Sequence, residues 1–181
     1  MLFSAKPSVS PVLLAARAKG RLDHALRGSG QAVQLSRKVA VRSIGENSRR
    51  EVEQYIERQV RKGRFADAES EGLLGEFTVV DSGVDLSRAQ VTRRGRDRYN
   101  LHLVLVVRER AAFTDEASLR RIRDTCGSIA RKKGYAISRL SVMPDHLHAA
   151  LRGHPGHSPA EIAGAFQNNI AYALGHPAPH S

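Results

Sequence analysis

Val142-Met143-Pro144-Asp145-His146-Leu147-His148-Ala149-Ala150-Leu151 is the stretch on which the reading of this chain turns. Its core is His146-Leu147-His148. Alternate side chains of a β-strand point to one face, so His146 and His148 project together and Leu147 projects to the other side. Val142, Leu147 and Leu151 suit a strand packed on an apolar core, and Pro144-Asp145 suits the turn that leads into it. Two imidazoles on one strand face can hold one divalent ion. A lone His-x-His pair is also what two exposed histidines at a sheet edge look like, so the flanking sequence carries the weight.

Before this stretch, Leu101 to Val107 is a near-continuous apolar run, which predicts a central, covered strand. Asp115 to Lys133 predicts a helix, with Leu119, Ile122, Cys126 and Ile129 at helical spacing and Gly134 closing it. Ala136 to Val142 and Asp145 to Leu151 predict two strands. Ser158 to Leu174 predicts a helix with Ser158 as N-cap, Pro159 at the first position and Glu161 completing a capping box. Gly175 ends it, and residues 176–181 read as a frayed tail.

The first half is less regular. Residues 1–12 read as a short strand or an extended arm. Leu14, Ala18, Leu22 and Leu26 recur every fourth residue and predict a basic helix over residues 13–26. Residues 32–44 alternate loosely and predict one strand or a hairpin. Ser48 to Lys62 predicts a helix, opened by a capping box of Ser48 and Glu51, striped by Val52, Ile56 and Val60, and stopped by Gly63. Residues 64–98 read as a linker in which Phe77 to Val80 is the only strand-like piece. The linker ends in a basic cluster with Arg93, Arg94, Arg96 and Arg98, which suits phosphate binding, although charge runs are usually a solvated face. The domain reading is residues 1–63, a strand-helix-strand-helix half; 64–98, the linker; and 99–175, a second half of the same order. That shared order suggests a degenerate internal duplication.

Composition bounds the partners. Lys and Arg number 29 against 18 Asp and Glu, a net charge of +11 in 181 residues, and the isoelectric point is near 10.6. This is the footprint of a polyanion binder, nucleic acid first and an anionic membrane second. An apolar fraction of 41% is that of a folded protein. Cys126 is the only cysteine, which excludes an internal disulfide and a cysteine-based zinc site and fits a reducing cytosol. The apolar run Val12 to Ala16 is far too short to span a membrane, and no charged segment of a signal peptide precedes it.

Met143-Pro144-Asp145-His146-Leu147-His148, with the elements from Tyr99 to Gly175, resembles the single-tyrosine HUH transposases (His, hydrophobic, His). These are the short transposases of IS-two-hundred-like insertion sequences and their relatives associated with repetitive extragenic palindromes. The resemblance implies an α+β, ferredoxin-like fold, an antiparallel sheet with helices on one face. A histidine-triad hydrolase also alternates histidines on a strand, but it needs a third at position 150, which is Ala150. In the family a tyrosine helix with a Tyr-x-x-x-Gln pattern follows the HUH strand. Here nothing follows the Ser158 helix. Val41 to Gln59 instead resembles that late segment: Ser43-Ile44-Gly45-Glu46-Asn47 matches its turn, and Tyr55 and Gln59 match its pair. Their i,i+4 spacing puts both on one helical face. The halves therefore read as a degenerate tandem or a circularly permuted fold, with Tyr55 serving its own chain, or as half of a homodimer in which Tyr55 serves the partner.

The resemblance implies cleavage and strand transfer of single-stranded or hairpin DNA by a cytosolic, nucleoid-associated bacterial protein. It implies Tyr55 as nucleophile and a divalent ion, Mg²⁺ or Mn²⁺, on His146, His148 and Gln59. Imidazole is softer than Mg²⁺ prefers, which favours Mn²⁺. Asp145 is expected either to orient an imidazole or to cap its turn. His102, inside the apolar run, reads as structural. Tyr172 lacks a Gln four residues on and reads as core or rim, and Tyr99 and Tyr135 read as structural. Gln167, Asn168 and Asn169 touch bases or face water. A non-catalytic DNA-binding descendant and a remnant truncated at its C-terminus, the latter poorly soluble, are the rival readings.

Overall fold

The computed structural model describes residues 4–28, 39–43, 48–58, 75–92, 95–108 and 115–175. In chain order the elements are α1 (Pro11–Gly28), β1 (Val39–Arg42), α2 (Arg49–Glu57), β2 (Thr78–Val80), β3 (Gln90–Thr92), β4 (Gly95–Arg98), β5 (Asn100–Val106), α3 (Glu116–Lys133), β6 (Ala136–Val142), β7 (His146–Arg152) and α4 (Pro159–Ala173). The protein is α+β. Its main sheet is antiparallel throughout, in the order β2-β6-β7-β5, consistent with the expected ferredoxin-like fold.

The strands sort their side chains by alternation. Leu103, Leu140, Val142, Leu147, Ala149 and Leu151 form one core with Leu119, Ile122, Cys126 and Ile129 of α3 and Ile162 and Phe166 of α4. The four α3 residues are the apolar stripe predicted for that helix. Each fully buried Leu, Ile or Phe side chain contributes roughly 1.5–3 kcal/mol. Asp115 caps α3 by accepting from the Ser118 amide at 2.7 Å. Gly134 closes it in the left-handed region at φ 70°, which other residues adopt only with strain. Ser158 and Glu161 form the predicted capping box of α4.

The first half departs from a second copy of this fold. Helix α1 is tethered at its start, where Val12 N donates to Pro155 O at 3.0 Å and Ala160 N donates to Pro7 O at 3.0 Å, and it buries none of its residues. Part of the stretch read as linker carries structure. β2 adds to the outer edge of β6, Phe77 is fully buried, and β3 and β4 form a small sheet with β1 in the order β1-β4-β3. The β1–β4 pairing is parallel. β3 and β4 carry no apolar alternation to mark them, being only 3 and 4 residues long, Gln90-Val91-Thr92 and Gly95-Arg96-Asp97-Arg98.

β5 also differs from expectation. It is an edge strand of the main sheet, not a central one, and Val104 and Val106 are 42% and 51% exposed. A run of apolar residues implies cover on both faces, but here only one face of β5 is packed on the core. Ser43 clips the junction of β4 and β5: its amide donates to Arg98 O at 2.9 Å, and its hydroxyl lies 3.0 Å from both Asn100 N and Asn100 O. Among the described residues, no helix is long and apolar enough to cross a membrane.

Candidate metal and nucleophile site

The two-residue turn Pro144-Asp145 folds β7 back on β6, with Met143 N donating to His146 O at 2.8 Å. Alternation then does what the sequence predicts. Leu147 enters the core, and His146 and His148 face the other way, their ring centroids 5.0 Å apart. In the pairing register His148 stands between Val104 of β5 and Ser141 of β6, and His146 stands opposite Val106.

Each imidazole is held at its Nδ1. His146 Nδ1 lies 2.5 Å from Asp145 Oδ1. His148 Nδ1 lies 3.1 Å from His102 Nε2. Of the two roles open to Asp145, orienting an imidazole or capping its turn, this contact fits the first. His148 is 6% exposed. Desolvation, then repulsion from His146 and His102, pushes its pKa down to about 4. Desolvation also lowers that of His102. His148 is thus neutral at physiological pH, the state in which an imidazole binds metal.

Helix α2 lies over the same face. It forms locally because Ser48 accepts from the Glu51 amide at 3.3 Å while Glu51 accepts from the Ser48 amide at 2.7 Å. Hydrogen bonds from the Ser48 side chain and then from its amide hold the Glu51 carboxyl below its usual range. It docks through Ile56, fully buried against Leu86 and Ala150, with Val52 and Val84 alongside. A β-bulge at Ser138, where the register with β7 shifts, brings two consecutive β6 side chains to this helix. Glu53 Oε1 accepts from Ser138 Oγ at 2.9 Å, and Glu57 pairs with Arg139. Arg49 reaches Asp85 at 3.3 Å.

The docking puts the Tyr55 ring beside the histidines of its own chain. Its centroid is 5.3 Å from that of His148, edge-on at 84°, and 6.2 Å from that of His102. The ring is 44% exposed, open to an incoming ligand. Residues 96–180 match the family described as Transposase IS200 like. The match covers a little under half of the chain and is a likeness of those residues to the IS200-like transposases. No curated protein matches the chain. The likeness suggests transposase activity in general with DNA as partner, and that family generally uses a divalent metal.

The other candidates fall elsewhere. Tyr172 is 81% exposed on α4, whose Ile162 and Phe166 pack on the opposite face of the sheet. Tyr99 and Tyr135 are buried in the core. Arg96 and Arg98 lie two apart on β4 and share a face. Gln59, Arg93, Arg94 and most of the turn, residues 44–47, lie outside the described residues. Among the described residues, no group of three or more His, Cys, Asp or Glu is disposed to hold a metal ion. His146 and His148 are a pair of imidazoles on one strand face.

Sequence reasoning missed His102, Glu53 and Glu57. His102 was taken for a residue of a buried strand. The usable signal was its place in the alternation His102-Leu103-Val104, which sets it on the face opposite Leu103. Only the pairing register with β7 shows that this is also the face of His148.

Proposed function

We propose that the chain cleaves and rejoins single-stranded DNA at hairpins, with Tyr55 of the same chain as nucleophile. One observation carries this reading: a helix from the first half sets the Tyr55 ring against His148 of the second. A divalent ion, Mg²⁺ or Mn²⁺, held by His146, His148 and Gln59 would supply Lewis-acid polarisation of the scissile phosphate. The two imidazoles suit such an ion, since each has its hydrogen-bond partner at Nδ1 and not at Nε2.

The protein's own part is nucleophilic displacement. The Tyr55 oxygen attacks phosphorus and loses its proton, the new O–P bond forms, and the P–O3′ bond breaks. The departing 3′ oxygen takes up a proton. The result is a 5′-phosphotyrosine and a free 3′-OH. Attack by another 3′-OH reverses the exchange and joins the strands, so phosphodiester energy is conserved and no nucleotide is consumed. The partly open Tyr55 ring leaves room for the strand, and the +11 charge draws it in. Arg93, Arg94, Arg96 and Arg98 are assigned to phosphates.

The test is incubation with a single-stranded hairpin oligonucleotide and Mn²⁺, followed by a denaturing gel. A DNA-shifted protein band is expected from the parent and from Tyr172→Phe, and none from Tyr55→Phe. A band that survives Tyr55→Phe overturns the assignment. No band from any of them, with hairpin binding retained, makes the protein a non-catalytic DNA binder.

A further inference from the structure

We propose that His102 is a positioning residue: it accepts a hydrogen bond from His148 Nδ1–H and so keeps the lone pair of His148 on Nε2, facing the ligand. Its relevance to metal binding rests on the function proposed above. The hydrogen bond itself does not.

A neutral imidazole carries one N–H, and the other nitrogen is the acceptor or ligand. Two ring nitrogens 3.1 Å apart, His102 Nε2 and His148 Nδ1, share one proton between them. If His148 donates, its Nε2 is bare and available. If His102 donates, His148 must carry its proton on Nε2, and it has no lone pair left for a ligand.

Two observations favour the first arrangement. His148 is the more enclosed ring, 6% exposed, whereas His102 remains partly open to solvent. A proton on His148 Nε2 would find no acceptor among the described residues. In the favoured arrangement the outlying proton sits on His102 Nδ1, on the ring that water reaches. The second observation is the neighbouring histidine. A carboxylate only accepts, so His146 must donate from Nδ1 to Asp145 at 2.5 Å, which leaves Nε2 bare. Both strand histidines then present the same nitrogen. His102 does for His148 what Asp145 does for His146, from a strand that pairs with β7 rather than from the adjacent residue.

The test uses the full chain with ¹⁵N-labelled histidine, metal-free and at neutral pH, in long-range ¹H–¹⁵N spectra. His148 is expected as the Nδ1–H tautomer. His102→Leu should move it toward the Nε2–H form and weaken Mn²⁺ binding, measured by titration, by about 10–100-fold. His102→Gln, whose side-chain carbonyl stands where Nε2 stood, should restore both. An Nε2–H tautomer in the parent overturns the proposal, and so does a His102→Leu protein with unchanged tautomer and unchanged Mn²⁺ affinity. If the parent shows the Nδ1–H tautomer but binds no Mn²⁺, the hydrogen-bond assignment stands and the metal-dependent function falls.

Discussion

Glu53 in the middle of α2 accepts a hydrogen bond from Ser138 in the bulge of β6, at 2.9 Å. Both groups are largely withdrawn from water, Ser138 fully, and each has a further contact, Ser138 with the Ala150 carbonyl at 3.4 Å and Glu53 with Arg49 at 3.6 Å. With the Glu57–Arg139 pair one turn on, it fastens the tyrosine helix to the sheet of the same chain.

The fastening predicts that cleavage is a property of one chain. A mixture of Tyr55→Phe and His146→Ala proteins should form no covalent DNA adduct, because neither chain holds both halves of the site. The gel assay above reads this directly. Recovery of the adduct in the mixture would mean that α2 serves a partner's sheet.

Ile56→Ala should loosen the helix more than the fold. Ile56 is fully buried, but in a small satellite cluster apart from the main core, so the cost should be near the low end for such truncations, about 2 kcal/mol. Amide exchange is the measurement. Protection should fall along α2 while β6 and β7 keep theirs, and cleavage should decline with it. Equal loss of protection in β6 would show that α2 and the sheet open as one unit.

Gly153→Ala should destabilise the core. A Cβ at this position would lie 2.7 Å from Ile162 Cδ1 and 3.0 Å from the Tyr99 ring. Both neighbours are buried, Ile162 fully, with little room to move. Overpacking of this kind costs about 1–3 kcal/mol, which should appear as a lower Tm. An unchanged Tm would mean that the ring and the isoleucine can give way.

Stability should fall at alkaline pH. Burial pushes the Cys126 thiol up to about 12 from 9.0 and the Tyr99 phenol up to about 12 from 10.0. The folded protein therefore holds protons that the unfolded chain releases above pH 9 and 10. Their contribution is complete below those values and is lost as pH rises toward 12, at no more than about 1.4 kcal/mol per pH unit for each group. Urea unfolding at a series of pH values checks the slope. Cys126→Ala should flatten it between 9 and 10, and an unaltered slope would count against the thiol's part.

The local chemistry of the site was legible in the sequence. The facing of His146 and His148, the Ser48–Glu51 box and the helix that bears Tyr55 all follow from spacings of two, three or four residues. What was not legible depends on pairing between distant segments. Nothing in Leu101 to Val107 says that one of its faces is left open, because an apolar edge strand and an apolar central strand read alike. Nothing near Gly95 to Arg98 announces a parallel partner at Val39 to Arg42. Ser138 looks like an inward-facing strand residue until the bulge turns it, with Arg139, toward α2.

The bulge has a consequence for how the protein comes to be active. Glu53 and Ser138 are 85 residues apart in the chain, and Glu57 and Arg139 are 82 apart. Contacts of such high contact order close late, after the local helix and the β6–β7 hairpin have formed. The tyrosine is also synthesised before the histidines it is to meet. A chain still leaving the ribosome thus carries the proposed nucleophile on a capped helix, and the Tyr55 ring meets His148 only when the hairpin has folded and the helix closes over it.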